Sequence, residues 1–401
     1  AAMEPGDAYP ALAPDCPQAH LFERELAESW GITPQGHPQP APVRYPQRPF
    51  RTAPGAPVAP PPPGTGIRYR VEGDAIHEVA VGPVHAGIIE PGHFRFQCQG
   101  ETVLHLEIAL GYQHRGIQRM LAGGPTPRTP HLVETLAGDT SIGHALAHAQ
   151  AAEALAGVRV PARGQVWRAI ALEIERLANH TGDLGALAQD VGYLPTSAYC
   201  GRIRGDFLNA TAVMCGNRFG RGWVRPGGVA WDADPARAAD LRRRLVEAGR
   251  DARGAIELLW DTPSVLARFE DTGRLSADQA AALGLVGPAA RACGLERDAR
   301  ACFPSGYYRF AQIPVSTWAT GDVFARAQVR WLEMQRSLVF LREQLDALPA
   351  GAVAAAPGDL APDSLAVSLV EGWRGEICHV AVTGPDARFL AYAVIDPSFH
   401  N

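Results

Sequence analysis

The chain has 401 residues, 46% of them hydrophobic, which is enough to bury one large core or a core plus an appendage. Its formal charge of -5 argues against a nucleic-acid binder, which carries a basic surplus; the densest basic group, Arg242-Arg243-Arg244, sits where a solvated helix face is expected. The seven cysteines are scattered and include no CxxC pair, a pattern that fits a reducing compartment and excludes the usual signatures of zinc or iron–sulfur ligation.

In chain order, residues 18–30 predict a short helix with Leu21, Leu26 and Trp30 on one apolar face. Residues 1–51 are too few and too proline-rich for an independent domain. Residues 52–66, with four consecutive prolines, read as a semi-rigid linker, and 67–401 as the main domain. Within it, 67–85 and 93–109 flank the turn signals Gly73-Asp74 and Gly100-Glu101 and predict a small antiparallel β unit. Helices are expected over 144–155, 166–184, 235–260, 277–285 and 323–345, the last with a long apolar face through Val329, Leu332, Met334, Leu338 and Leu341. Strands return at 376–382 and 389–395. The class is α+β: an N-terminal antiparallel sheet, a central helical bundle and a small C-terminal β element. No charged-then-apolar segment opens the sequence and no apolar run reaches membrane-spanning length, so a soluble protein is expected, or one held on a membrane by partners.

Four segments carry residue types suited to chemistry. Gly82-Pro83-Val84-His85 through Glu90-Pro91-Gly92-His93-Phe94-Arg95 is either a proton-handling loop or a solvated turn. Leu110-Gly111-Tyr112-Gln113-His114-Arg115-Gly116-Ile117 follows a strand, and His114 and Arg115 suit buried carbonyls or carboxylates. In Gly138-Asp139-Thr140-Ser141-Ile142-Gly143-His144, continued to His148, the two histidines stand one helical turn apart. That spacing can share a metal, but without acidic or cysteine ligands in step it reads as hydrogen-bonded core histidines. The fourth joins Trp373-Arg374-Gly375 to the terminal Asp396-Pro397-Ser398-Phe399-His400-Asn401; Arg374 suits donation to a ligand or to a backbone carbonyl.

In this order, together with Val160-Pro161-Ala162-Arg163, Glu173-Ile174-Glu175-Arg176-Leu177 before His180, and Arg225-Pro226-Gly227-Gly228-Val229, these segments resemble a known family. It is the large subunit of group 4, energy-converting [NiFe] hydrogenases, with the D-type (49-kDa-type) subunit of complex I. The stretch Phe22 to Ile32 with Gly36-His37-Pro38 resembles the end of the C-type (30-kDa-type) subunit, which formate hydrogenlyase-like enzymes fuse upstream. In the hydrogenases, RxCGxCxxxH and a terminal DPCxxC supply four thiolates to nickel and iron. Here those positions hold Ala137, Thr140, Ser398 and Asn401, while Gly138 and His144 match. Methyl, hydroxyl and amide groups do not replace soft thiolates, so no metal is expected and an active [NiFe] hydrogenase is excluded.

The complex I subunit has also lost these cysteines, and its vacated cavity binds a quinone head group. That subunit has a tyrosine donor where this chain has Gly138. The resemblance implies a cavity lined by Ala137, Thr140, His144, Ser398 and Asn401. His85, His93 and Asp139 would bind or protonate an acceptor, Glu90 would pass protons onward, and Arg374 stands at the family's PRG-like arginine. The implied role is a subunit of a complex I-like oxidoreductase, passing electrons from an iron–sulfur cluster in a partner to a quinone or another small acceptor. The chain itself would bind no other cofactor. Implied partners are a small iron–sulfur (B-type) subunit, a C-type subunit or domain and antiporter-like membrane subunits. The implied location is cytoplasmic, on the inner face of the cell membrane. The alternative is a structural subunit joining the iron–sulfur partner to membrane proton pumps.

Overall fold

In the computed structural model, residues 3–4, 6–40, 43, 69–84, 91–109, 111–399 and 401 are described. The linker read at 52–66 lies outside them, as do His85, Glu90 and His400. Two compact units form: residues 1–115 with 282–284, and 116–281 with 285–401. This division falls inside the segment that the sequence reads as one domain from 67.

In the first unit, β1 (Ala8–Pro10) and β2 (Thr33–Gln35) pair in parallel around α1 (His20–Trp30). Glu23 is buried there, accepting the backbone N–H groups of Leu12 and Ala13. Trp30, expected on the apolar face of α1, is exposed; Leu21 and Leu26 are half-buried. Strands β3 (Ile76–Val81), β4 (His93–Gln99) and β5 (Thr102–Ala109) form an antiparallel sheet in that order, with the expected turn at Gly100-Glu101. Arg95 on the central strand bridges Glu78 and Glu107 on its two neighbours, so a buried cation holds opposite charges across the sheet.

The second unit begins with α2 (Ile117–Leu121) and α3 (Thr129–Val133), leading into α4 (Ser141–Ala156), which ends at left-handed Gly157. Helix α5 (Ala162–Asp190) is buried on nearly every side and forms the axis of the bundle. Helix α6 (Leu194–Cys215), not expected from the sequence, packs along it through Cys200, Ile203, Phe207, Ala210 and Met214. A short hairpin follows, β6 (Val224–Arg225) with β7 (Gly228–Val229). Helix α7 (Pro235–Trp260) spans the expected range, started by Asp234, whose carboxylate accepts from Arg237 N, with proline in the first turn. Short helices α8 (Pro263–Phe269), α9 (Ala277–Leu283), α10 (Gly287–Arg291) and α11 (Ala299–Cys302) lead to α12 (Val323–Asp346), capped by Asp322. Trp167, Trp223, Phe207 and Met334 lie in the core shared by these helices.

The chain closes with β8 (Leu365–Glu371), β9 (Glu376–Thr383) and β10 (Phe389–Ile395), antiparallel in the order β10-β9-β8. The sequence reading lacks β8. Alternation puts Ile377, His379 and Ala381 of β9 on the inner face, and α4 packs on this sheet. The resulting fold is α+β, as expected. No helix among the described residues is long and apolar enough to cross a membrane.

Candidate functional site

Within the second unit, residues 134–140 before α4, the β8–β9 turn at 372–375 and residues 396–399 and 401 after β10 come together. The positions where the family's motif has cysteines are all on these segments, and three of them are engaged in internal hydrogen bonds. Thr140, immediately before α4, accepts from Trp373 Nε1 at 3.1 Å and donates to Asp139 Oδ1 at 3.2 Å. Asn401 donates through Nδ2 to the Arg374 carbonyl and accepts from Val286 N. The Ser398 hydroxyl and backbone N–H both point to Asp396 Oδ1. Ala137 is buried and offers only a methyl group. This donor set does not fit a nickel–iron centre, and among the described residues no group of three or more His, Cys, Asp or Glu could hold a metal.

Arg374 and Asp139 are brought together. The guanidinium donates to both carboxylate oxygens at 2.6 and 2.8 Å and stacks 3.9 Å above the Trp373 ring. The Asp139 side chain is 3% exposed and that of Arg374 26%, so the pair is fixed from inside and open on one face. Arg374 thus donates to a carboxylate, where the sequence left a ligand or a carbonyl open. Two glycines shape its turn. Gly375 has φ +135°, and Gly287, at φ +61°, packs so closely that a Cβ there would strike the Arg374 carbonyl.

A buried charge cluster holds the turn from below. Arg176 of α5 donates to the carbonyls of Glu371 and Gly372, and its Nε donates to Glu173. Glu333 of α12 accepts from Arg291, His180 and Arg176. Arg300 pairs with Glu173 and Asp298, and Arg291 with Glu371. Three guanidiniums here face the carboxylates of Glu173, Asp298, Glu333 and Glu371. Burial and the neighbouring Asp298 push the Glu371 carboxyl up.

His144 and His148 do not converge on a shared point. His144 Nε2 lies 2.9 Å from Asp396 Oδ2 and its Nδ1 3.0 Å from His379 Nε2. His148 Nδ1 lies 2.9 Å from the Tyr392 hydroxyl, which is also 2.9 Å from His379 Nδ1. His379 and Tyr392 escaped the sequence reading. The signal for His379 was its place in the period-two alternation, on the face shared with Ile377 and Ala381. Glu175 of α5 accepts from Ile142 N and Gly143 N in the first turn of α4, and burial pushes its carboxyl up to about 8. His93 opens β4 in the first unit, half-buried and in register with Ala109. His114 and Arg115 are exposed in the turn before α2, and His85 and Glu90 lie outside the described residues.

The family described as respiratory-chain NADH dehydrogenase, 49 Kd subunit, matches residues 190–371. Formate hydrogenlyase subunit 5 of Escherichia coli K12 is 28% identical, covering 96% of this chain and 70% of that protein. The carbon monoxide-induced hydrogenase of Rhodospirillum rubrum is 31% identical over 78% of this chain and 87% of that protein. The C/D subunit of NADH-quinone oxidoreductase from Gluconacetobacter diazotrophicus is 28% identical, covering 86% and 62%.

Proposed function

Because the chain belongs to the family that unites group 4 hydrogenase large subunits with the 49-kDa-type subunits of complex I, we propose that it is a metal-free large subunit of a membrane-associated, complex I-like redox assembly. Electrons from an iron–sulfur cluster in a small B-type partner would pass to a quinone or another small acceptor. The observation that carries this reading is the Arg374–Asp139 pair, a cation held bidentate by a buried carboxylate and stacked on Trp373, yet a quarter exposed. Such a guanidinium can donate to an acceptor carbonyl and stabilise the charge that forms on reduction. His85, His93 and Glu90 would serve protonation. The name of the C/D relative supports a C-type partner or domain. Antiporter-like membrane subunits would complete the assembly and hold the chain at the inner face of the membrane.

A second reading, a structural link between the iron–sulfur subunit and the membrane partners, is favoured by the side chains at the former cysteine positions. Thr140 is already taken by Trp373 and Asp139, and Asn401 by Arg374 and Val286.

Purification of the tagged chain with its partners distinguishes the two. The redox reading expects an iron–sulfur subunit in the preparation, no stoichiometric nickel, and quinone reduction that falls at least tenfold in Arg374→Gln and in Glu90→Gln. An intact assembly without quinone reductase activity would leave the structural reading in place.

A further inference from the structure

Asp396, His144, His379, Tyr392 and His148 form an unbroken single file of hydrogen bonds, with steps of 2.9, 3.0, 2.9 and 2.9 Å. Three elements build it. The two histidines of α4 stand one turn apart and face the sheet, His379 comes from the inner face of β9, and Tyr392 with Asp396 comes from β10 and its end. The imidazoles and the phenol are buried, whereas the Asp396 side chain is 23% exposed. We infer that this file is a one-proton relay, connecting the interior imidazole of His148 to the Asp396 carboxylate and storing its positive charge on His144.

The direction of every hydrogen bond follows from Asp396. An ionised carboxylate accepts only, so His144 donates from Nε2, and as a neutral ring it must accept at Nδ1. His379 therefore donates from Nε2 and accepts at Nδ1, where the Tyr392 hydroxyl donates. The Tyr392 oxygen in turn accepts from Nδ1 of His148. Each donor meets an acceptor and no choice remains.

Adding one proton reverses the three hydrogen bonds between His148 and His144, and His144 goes on donating from Nε2 to Asp396. As an N–H bond forms at His148 Nε2, its Nδ1–H bond breaks toward the Tyr392 oxygen. The phenol proton passes to His379 Nδ1, and the His379 Nε2 proton passes to His144 Nδ1. One proton enters, none is lost and no electron moves. His144 becomes an imidazolium against Asp396, while His379 and His148 are neutral again with their tautomers exchanged. Burial opposes charge at the other rings: it lowers His148 to about 4, and burial together with the charges of His144 and His148 lowers His379 well below its ordinary value. Burial pushes the Asp396 carboxyl up, but the hydrogen bond and charge of His144 and the bonds from Ser398 outweigh it and hold the group well down. Cys378, which acts on Tyr392, and Arg374, which feels Asp396, are further titratable neighbours.

The relay stands on this geometry whichever function the assembly has, and the test needs only the folded chain. Histidine ring nitrogens in uniformly 15N-histidine-labelled protein report tautomer and charge directly, with assignments from single His→Gln variants. At neutral pH the expected forms are Nε2–H for His144 and His379 and Nδ1–H for His148. On acidification His144 gains its second N–H at a single midpoint, at which His379 switches to Nδ1–H and His148 to Nε2–H. In Tyr392→Phe the link is cut, and His148 keeps its tautomer as His144 titrates. Three results in the wild-type protein overturn the relay: a different neutral set of tautomers, a His379 or His148 that does not switch with His144, or separate imidazolium formation at His148. The wild-type titration decides the matter even if the phenylalanine variant does not fold.

Discussion

Arg374 and Asp139 meet in a bidentate ion pair although 235 residues separate them, one on the β8–β9 turn and the other just before α4. The carboxylate lies inside and the guanidinium partly outside, so the two halves of the pair respond differently to substitution. Arg374→Met leaves the buried Asp139 carboxylate without its cation and is expected to cost about 2–3 kcal/mol, at or below the range for breaking a buried pair. Asp139→Asn keeps a polar acceptor beside a guanidinium that water still reaches, and should cost less. Urea unfolding of the two variants checks the order, and a larger loss in Asp139→Asn would contradict it.

Glu333 is a more sensitive position. It is buried, and it accepts from Arg291, His180 and Arg176. These partners and its neighbours hold its carboxyl well below the ordinary range in spite of burial. Glu333→Gln removes the central negative charge from a cluster with three guanidiniums, and a loss of about 3–5 kcal/mol is expected. Thermal unfolding of the variant should also show weakened attachment of the β8–β9 turn, read as faster amide exchange at Trp373 and Arg374, because Arg176 carries that turn.

Glu175 predicts a pH dependence. Burial raises its carboxyl from the ordinary 4.5 to about 8, against the pull of the Ile142 and Gly143 N–H groups. A carboxyl raised in the folded state keeps its proton after the unfolded chain has released it. Its contribution is therefore full below about 4.5 and is lost as pH rises through about 8. Stability measured by chemical denaturation should fall between about pH 4.5 and 8 and level off above, and Glu175→Gln should flatten that fall. Cys378 and Cys200, raised to about 11 and 12, titrate above this window. A slope unchanged in Glu175→Gln would assign the effect elsewhere.

Gly287→Ala tests the close approach behind the Arg374 turn. At φ +61° a side chain is strained, and the new Cβ would collide with the Arg374 carbonyl and Gly375. A loss of about 2 kcal/mol or more is expected. Gly254, on the exposed part of α7 with open space around its Cβ, serves as the control; Gly254→Ala should be neutral or stabilising by up to about 1 kcal/mol.

The elements legible in the sequence were those with one dominant local signal. The apolar stripe through Val329, Leu332, Met334, Leu338 and Leu341 marked α12. The Gly100-Glu101 turn marked the β4–β5 hairpin. Helix α6 went unread because Gly201, Gly205 and several polar residues mask its stripe, although Cys200, Ile203, Phe207, Ala210 and Met214 keep helical spacing. Strand β8 went unread because its outward face carries Leu365 and Val367, which removes the alternation that normally marks a strand.

By itself, the sequence determined the family, through motifs that survive in order, and it determined that Ala137, Thr140, Ser398 and Asn401 cannot supply thiolates. Residue type alone settles that point, since a methyl, hydroxyl or amide group has no soft sulfur wherever it is placed. Only the tertiary structure decided what those positions do instead. Thr140 binds Trp373, Asn401 binds the Arg374 carbonyl, and the histidines of α4 point to β9 and β10 rather than to each other. The physical reason is that a hydrogen-bond partner is chosen by geometry over a few ångströms, and the elements that meet here lie more than 200 residues apart in the chain.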